Sequence, residues 1–303
     1  MKNIKGVFIT ITLLVVIAIA IYELKKWEFS GGYKQTEAIF NVYVPDFFEF
    51  CGEVVPLKRP EVREYFDREL HIHAYWSANN ILLVRRASIW LPLISQILKQ
   101  EGLPEDLKYI AVVESALTNS FSPAGAAGFW QLMPATAQAM GLEVTPQVDE
   151  RLDVEKSTRA ACKYLKMLYQ QVGSWTNALA AYNMGAEVFS WAMKRQRKNS
   201  FYDLELGVQT TRFVYRTLAL KEIMSHPEKY KIPLLPQQPL PHFTIEEVRE
   251  DIPSLVQFAA ARGIHYRTFR HMNEWLLSEQ LKVPKGKTYR LKIPLSDSSS
   301  THK

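Results

Sequence analysis

The sequence predicts a mainly α-helical protein with an N-terminal membrane-spanning helix and a small C-terminal α+β module. Three observations lead there. The first is an uncharged apolar run, GVFITITLLVVIAIAIY, over Gly6 to Tyr22 with lysines on both sides. The second is helical periodicity from about Pro60 to Ser225, punctuated by glycines and prolines. The third is IPLLPQQPLPHF, Ile232 to Phe243, which packs four prolines into twelve residues and separates the helical region from a different pattern.

The apolar run has 17 residues, the short end of what crosses a bilayer core. Lys2 and Lys5 belong on the cytoplasmic side, which sends the rest of the chain outward. The run reads as an uncleaved single-span anchor. Ala18-Ile19-Ala20 also offers the small-x-small site that a cleaved signal peptide needs. Residues 1–26 are therefore anchor or signal segment, and 27–90 are a spacer followed by N-terminal helices.

Within those helices Arg63 to Leu70 is amphipathic, as is Trp90 to Leu98. Gly102-Leu103-Pro104 breaks the pattern. Pro104 suits the first turn of a new helix, with Glu105 and Asp106 favourable beside it. A helix over Pro134 to Met140 is closed by Gly141, and one over Ser157 to Val172 by Gly173. Trp175 to Tyr182 is another, ending at Asn183-Met184-Gly185. Thr210 to Ser225 is stopped by Pro227.

After the stiff linker at 231–242, a module at 243–296 reads strand, helix, helix, strand. The strands fall near Phe243 to Val248 and Thr288 to Ile293. The helices fall around Ser254 to Arg262 and Tyr266 to Asn273. The linker predicts that the preceding region folds without this module. The polar tail 297–303 is expected to be disordered.

The 303 residues are 47% apolar and 22% charged, an ordinary globular balance. Of the net charge of +6, Lys2, Lys5, Lys25 and Lys26 against Glu23 account for +3, so the charge does not point to a nucleic-acid partner. Cys51 and Cys162 could pair in an oxidising compartment. Cys162, on a helix, reads more simply as a small buried apolar residue. No metal-ligand spacing occurs, and His71 and His73 read as surface residues.

One acid stands out. Leu103, Leu107, Ile110, Ala111 and Glu114 fall on one helical stripe, so Glu114 continues an apolar face. Lost hydration there raises a carboxyl pKa. The helix should end before Pro123, and the partial negative charge of a helix C-terminus pushes the same way. Both favour a protonated acid at neutral pH, as a general acid requires. The alternative is a structural Glu paired with a buried Arg. Ser115 follows. Pro123 to Gly128 then has little side-chain bulk and would let a ligand approach the backbone. Trp130 and Gln131 offer a flat apolar surface and a donor–acceptor amide, which suit sugar rings and acetamido groups. Asp149, Glu150 and Asp153 sit in VDERLDVEKS, which reads as a solvated turn and helix cap.

Glu114-Ser115, Gly125-Ala126, Gly128-Phe129-Trp130-Gln131, Met133-Pro134 and Thr136-Ala137 together resemble the catalytic signature of the lytic murein transglycosylases with a goose-lysozyme-like (SLT) domain. Ala180-Ala181-Tyr182-Asn183-Met184-Gly185 is similar to that family's Ala-Tyr-Asn-x-Gly motif. Gln209 to Val214 is similar to its Glu-Thr-x-x-Tyr-Val motif, with Gln209 in place of Glu and Phe213 in place of Tyr. The resemblance covers about Leu91 to Tyr230 and is nearest to the membrane-bound type D branch. Beyond the linker, Ser254-Leu255, Ala259, Gly263-Ile264, Asn273 and Lys285-Gly286 resemble a degenerate LysM sugar-binding module.

The resemblance implies a lysozyme-like helical catalytic domain over 91–230 and cleavage of the β-1,4 bond between N-acetylmuramic acid and N-acetylglucosamine in peptidoglycan, leaving a 1,6-anhydro end. Glu114 would be the catalytic acid and base. Ser115, Gly128, Trp130, Gln131, Met133, Tyr182 and Asn183 would bind substrate. No cofactor or metal is implied. The implied partners are glycan strands and the membrane. The implied location is the cell envelope, with the catalytic domain in the periplasm. Two other readings stay open: a catalytically silent glycan-binding scaffold, and a lysozyme-type hydrolase on the same fold.

Overall fold

The helical region is built on capped, amphipathic segments, and a short hairpin precedes them. In the computed structural model the described residues are 42–75, 77–232, 236 and 242–295. The apolar run at Gly6 to Tyr22, the first part of the spacer, most of the proline-rich linker and the tail lie outside them. Among the described residues no helix is long and apolar enough to cross a membrane.

A two-stranded hairpin opens the described chain, β1 (Glu49–Phe50) against β2 (Glu53–Val54). Helices α1 (Pro60–Ala74) and α2 (Ser77–Gln100) follow, with Pro92 inside α2. A 3-10 turn, Glu105–Leu107, leads into α3 (Lys108–Ser115). Then come α4 (Pro134–Ala139), α5 (Val154–Val172), α6 (Trp175–Met184), α7 (Ala186–Gln196) and α8 (Val208–Ser225).

The caps explain the boundaries. Asp153 accepts from the Lys156 N–H at 2.9 Å and starts α5, and Gly173 ends it in the left-handed conformation. Ser174 accepts from the Asn177 N–H at 3.2 Å and starts α6. Glu53, at the hairpin tip, accepts from the N–H and the hydroxyl of Thr176 at 2.9 and 2.8 Å, placing an anion at the positive end of α6. Helix α7 has no counterpart in the sequence expectation. It follows Gly185 directly and exposes Val188 and Trp191, so its periodicity does not mark a separate element.

The core between α3, α5, α6 and α8 is aliphatic. Leu107, Ile110, Ala111, Leu165, Leu168, Leu179, Val214 and Leu218 are all fully buried. At ~25 cal/mol per Å² of apolar surface, such layers dominate the stability of the domain. Cys162 belongs to this core, and both cysteines are free. His73 corrects its surface reading: it is buried beside Glu69.

The C-terminal module has β3 (Phe243–Val248) antiparallel to β4 (Tyr289–Pro294) through six paired positions, with α9 (Leu255–Ala260) and α10 (Tyr266–Met272) between them. It does not stand apart from the helices. Its core of Leu255, Phe269, Trp275, Leu276 and Tyr289 is continuous with Ala127, Val148 and Leu152. The Asp149 N–H donates to the Trp275 carbonyl and the Leu277 N–H to the Gln147 carbonyl, both at 2.8 Å. The Tyr289 hydroxyl donates to Glu143 at 3.0 Å, Lys287 pairs with the same carboxylate, and Lys292 meets Glu155 at 3.0 Å. The expectation of an independently folding helical region therefore meets a shared core. The described residues from Val42 onward fall in one compact unit.

Candidate active site

Helix α3 is short and apolar, and Glu114 is its penultimate residue. The helix ends abruptly because Ala116 and Leu117 both take positive φ, 49° and 58°. Each costs a non-glycine residue about 1–2 kcal/mol. Local hydrogen bonds offset this. The Ala116 N–H reaches the Val112 carbonyl at 3.0 Å, and the Thr118 hydroxyl donates to the Ser115 carbonyl at 2.7 Å. The turn leaves Glu114 half-buried at the edge of the apolar stripe rather than inside the core.

Burial pushes the Glu114 carboxyl up to about 7, and the charge of Arg216 on α8 pulls against that rise. Tyr182, near the end of α6, donates its hydroxyl to the Trp130 carbonyl at 2.6 Å. Burial holds the Tyr182 phenol well above its ordinary value, and the neighbouring Glu114 charge adds to the effect, so it stays protonated. Glu114 on α3 thus lies in electrostatic reach of both Tyr182 on α6 and Arg216 on α8.

The loop from Asn119 to Met133 is a folded object. Ser122 and Ala126 pair backbone to backbone at 2.8 Å, and Ala127 and Leu132 exchange both hydrogen bonds. Ser115 donates to the carbonyls of Ala111 at 3.1 Å and Phe129 at 2.9 Å, tying the helix end to this loop. Gln131, at φ 46°, spends its amide N–H on the carbonyls of Ser120 and Gly128, both at 2.9 Å. Its Oε1 accepts no hydrogen bond among the described residues. Met133 is 44% exposed at the loop end. Asn183 accepts from the Thr210 hydroxyl at 3.0 Å, linking α6 to α8.

Several sequence expectations need correction. Trp130 is not an accessible platform. It is fully buried, its indole N–H donating to Thr158 Oγ1 at 2.9 Å, and only its carbonyl takes part in the site, through Tyr182. Gly128 is a glycine for packing, not for ligand approach: a Cβ there would stand 1.9 Å from the Arg151 carbonyl oxygen. Asp149, Glu150 and Asp153 are buried, not solvated, although Asp153 does cap α5. Phe213 is buried in α8 and Gln209 is exposed at its first turn.

Arg151 was missed by sequence reasoning and organises the loop. It is 4% exposed and donates to both oxygens of Asp149 at 2.9 and 2.7 Å. Its third nitrogen donates to the carbonyls of Gly125 at 2.7 Å and Leu132 at 2.9 Å. Glu69 was also missed. Its side chain is wholly buried and meets Arg212 at 2.8 Å. The signal was faint: Arg212 and Arg216 sit one turn apart on a helix otherwise rich in buried residues.

Residues 92–204 match the family Transglycosylase SLT domain, and residues 244–297 match the Soluble lytic transglycosylase C-terminal LysM-like domain. The chain thus carries, in that order, an SLT domain and a LysM-like domain.

It is homologous to Membrane-bound lytic murein transglycosylase D of Escherichia coli (strain K12), with 31% identity over 198 residues, 62% of this chain and 43% of the relative. The Putative tributyltin chloride resistance protein of Alteromonas sp. (strain M-1) is 36% identical over 102 residues, 33% of this chain and 49% of that one. The chain thus spans less than half the length of these relatives. The solved lytic transglycosylase Slt of Pseudomonas aeruginosa aligns with a TM-score of 0.42 and 23% identity, over 58% of this chain and 30% of that one.

Proposed function

We propose that this chain is a peptidoglycan lytic transglycosylase that cleaves the N-acetylmuramic acid–β-1,4–N-acetylglucosamine bond. The observation that carries this reading is the half-buried Glu114 carboxyl, held protonated to about pH 7 at the end of α3. The murein transglycosylase named among the relatives supports it.

In this mechanism Glu114 gives its proton to the bridging oxygen as the bond from C1 of the muramyl residue breaks. The leaving sugar departs with a free hydroxyl. Glu114, now ionised, takes the proton of the muramyl O6 hydroxyl as that oxygen bonds to C1. The product carries a 1,6-anhydro ring and no water is consumed. An intramolecular nucleophile already held beside C1 replaces both the water and a second carboxylate. The acids of the 149–153 turn are in keeping with this economy, because Asp149 is engaged by Arg151, Glu150 by Lys156, and Asp153 caps α5. A two-carboxylate glycosidase would need one of them free across the bond.

Substrate contacts are assigned to the accessible polar atoms and side chains around Glu114: the free Oε1 of Gln131, the amide of Asn183, the phenol oxygen of Tyr182 and the thioether of Met133. Ser115 and Gly128 act by shaping the loop. The apolar run at Gly6 to Tyr22 anchors the chain in the inner membrane, with the enzyme in the periplasm, where it remodels the cell wall. The LysM-like module adds glycan affinity at the edge of the same unit.

The test is mass spectrometry of muropeptides released from purified sacculi. Products ending in anhydromuramic acid, one water lighter than those of a lysozyme, are expected. Reducing ends would establish a hydrolase instead. No release by the wild type would leave the scaffold reading.

A further inference from the structure

Helix α8 carries two arginines one turn apart, and both turn toward a carboxylate that no water reaches. Glu69 on α1 is 0% exposed. Arg212 donates to one of its oxygens at 2.8 Å, and the Arg216 guanidinium stands 3.9 Å from the other. From α1 itself, Arg68 approaches at 3.3 Å and His73 at 3.6 Å. A buried carboxylate with a single partner would be costly, and this one is ringed by cations from two helices. Burial alone would raise its pKa. The His73 and Arg212 hydrogen bonds and the arginine charges outweigh that and hold it at about 2. It is therefore an anion throughout the working pH range.

Arg216 is the shared member. Among the described residues its Nε has no hydrogen-bond partner, so the guanidinium is not locked onto Glu69 as Arg212 is. Its charge also acts on Glu114. Among the described residues, Arg216 of α8 is the charge that acts on Glu114, and Glu114 in turn acts on the neutral phenol of Tyr182 on α6. In the 3-10 turn at the far end of α3, Asp106 is taken up by Lys221 and Glu105 by Lys108. From α2, Ser95 bonds Lys108, and Arg86 lines the cavity beside Leu117 and Thr118.

We propose that Glu69 is a positioning residue for catalysis: it holds Arg216 between two carboxylates, so that the guanidinium neither pairs with Glu114 nor leaves it unopposed. This rests on the general-acid role of Glu114 proposed above. Two opposing consequences follow from these charges. Removing the Glu69 charge frees Arg216 to favour ionised Glu114, which then gives up its proton at lower pH. Removing the Arg216 charge leaves Glu114 with burial alone, and it keeps its proton to higher pH.

The test is the pH profile of muropeptide release from sacculi by the full chain, measured for wild type, Glu69→Gln and Arg216→Met. The alkaline limb should move down by roughly one pH unit in Glu69→Gln and up by a similar amount in Arg216→Met, as expected for one charge acting through partly shielded protein. A merely structural role would lower activity at every pH without moving the limb. Should Glu69→Gln fail to fold, the Arg216→Met shift decides alone. Limbs that stay put in folded variants overturn the proposal, provided the wild type is active and Glu114→Gln is not. An active Glu114→Gln would instead overturn the general-acid reading itself.

Discussion

Arg151 and Asp149 form a bidentate pair at 2.9 and 2.7 Å in which neither side chain is more than 5% exposed. The pair is the hinge pin of the loop after Glu114, because the remaining Arg151 nitrogen holds the Gly125 and Leu132 carbonyls.

Breaking it should therefore damage activity through the loop. Asp149→Ala leaves a buried guanidinium unpaired, which costs about 3–5 kcal/mol. The melting temperature and the rate of muropeptide release should fall together. A variant that melts normally and yet loses activity would give Asp149 a direct part in the chemistry.

The alkaline limb of activity and the stability contributed by Glu114 should both fall as pH rises. As a general acid it works protonated, so turnover should fall about tenfold per pH unit above about 7. Its folded pKa lies above the ordinary 4.5, so ionising it costs stability. That cost is absent below the ordinary value and present in full above about 7. Glu114→Gln removes it. The variant should lose roughly 10²–10⁴-fold or more in turnover. It should also be more stable than wild type at pH 8 by on the order of 2 kcal/mol, with little difference near pH 4. Denaturant titrations at the two pH values measure this directly.

A chain ended near Tyr230 loses the cover over Ala127, Val148 and Leu152. It also loses the Glu274 carboxylate that accepts from the Asn119 side chain at 2.6 Å, just beyond the active-site turn. Such a chain should aggregate or melt well below the full one, and the full chain should unfold in a single transition. Two separate transitions in calorimetry would restore the picture of a tethered, independent module.

Two glycines of the same loop should respond differently. Gly128→Ala drives a methyl into the Arg151 carbonyl and should cost about 3 kcal/mol or more. Gly125 has the same left-handed sense, φ 91°, but open space around its missing Cβ. Gly125→Ala should cost about 1–2 kcal/mol, the strain term alone. Equal losses in thermal melts would mean that the loop relaxes around both.

The sequence was most informative where one residue carries its own reason. Pro134 opening α4, Gly173 closing α5 and the strand–helix–helix–strand order after the linker are local, and they appear as expected. Glu114 was legible because an acid interrupts a periodic apolar stripe. Partnerships were not legible. Arg212 and Glu69 are 143 positions apart. The string from Asp149 to Asp153 is as polar as any surface turn, and it is buried only because the C-terminal module and the Gly125 loop close over it. Trp130 shows the same limit. An indole reads alike whether it faces a sugar or Thr158, and only the fold decides.

The hairpin that presents Glu53 to the start of α6 lies some forty residues ahead of position 92, where the SLT match begins. Glu69 lies ahead of it too, and Arg212 and Arg216 lie behind its end. What is inherited as a recognisable pattern and what folds as a unit are therefore different stretches of chain. A fragment excised at the borders of the match would carry Glu114, Tyr182 and Asn183 intact. It would lack the anion that seats α6 and the pair of helices that set the charge around the acid. Grafts or swaps of this domain should be cut no later than the hairpin and no earlier than the end of β4.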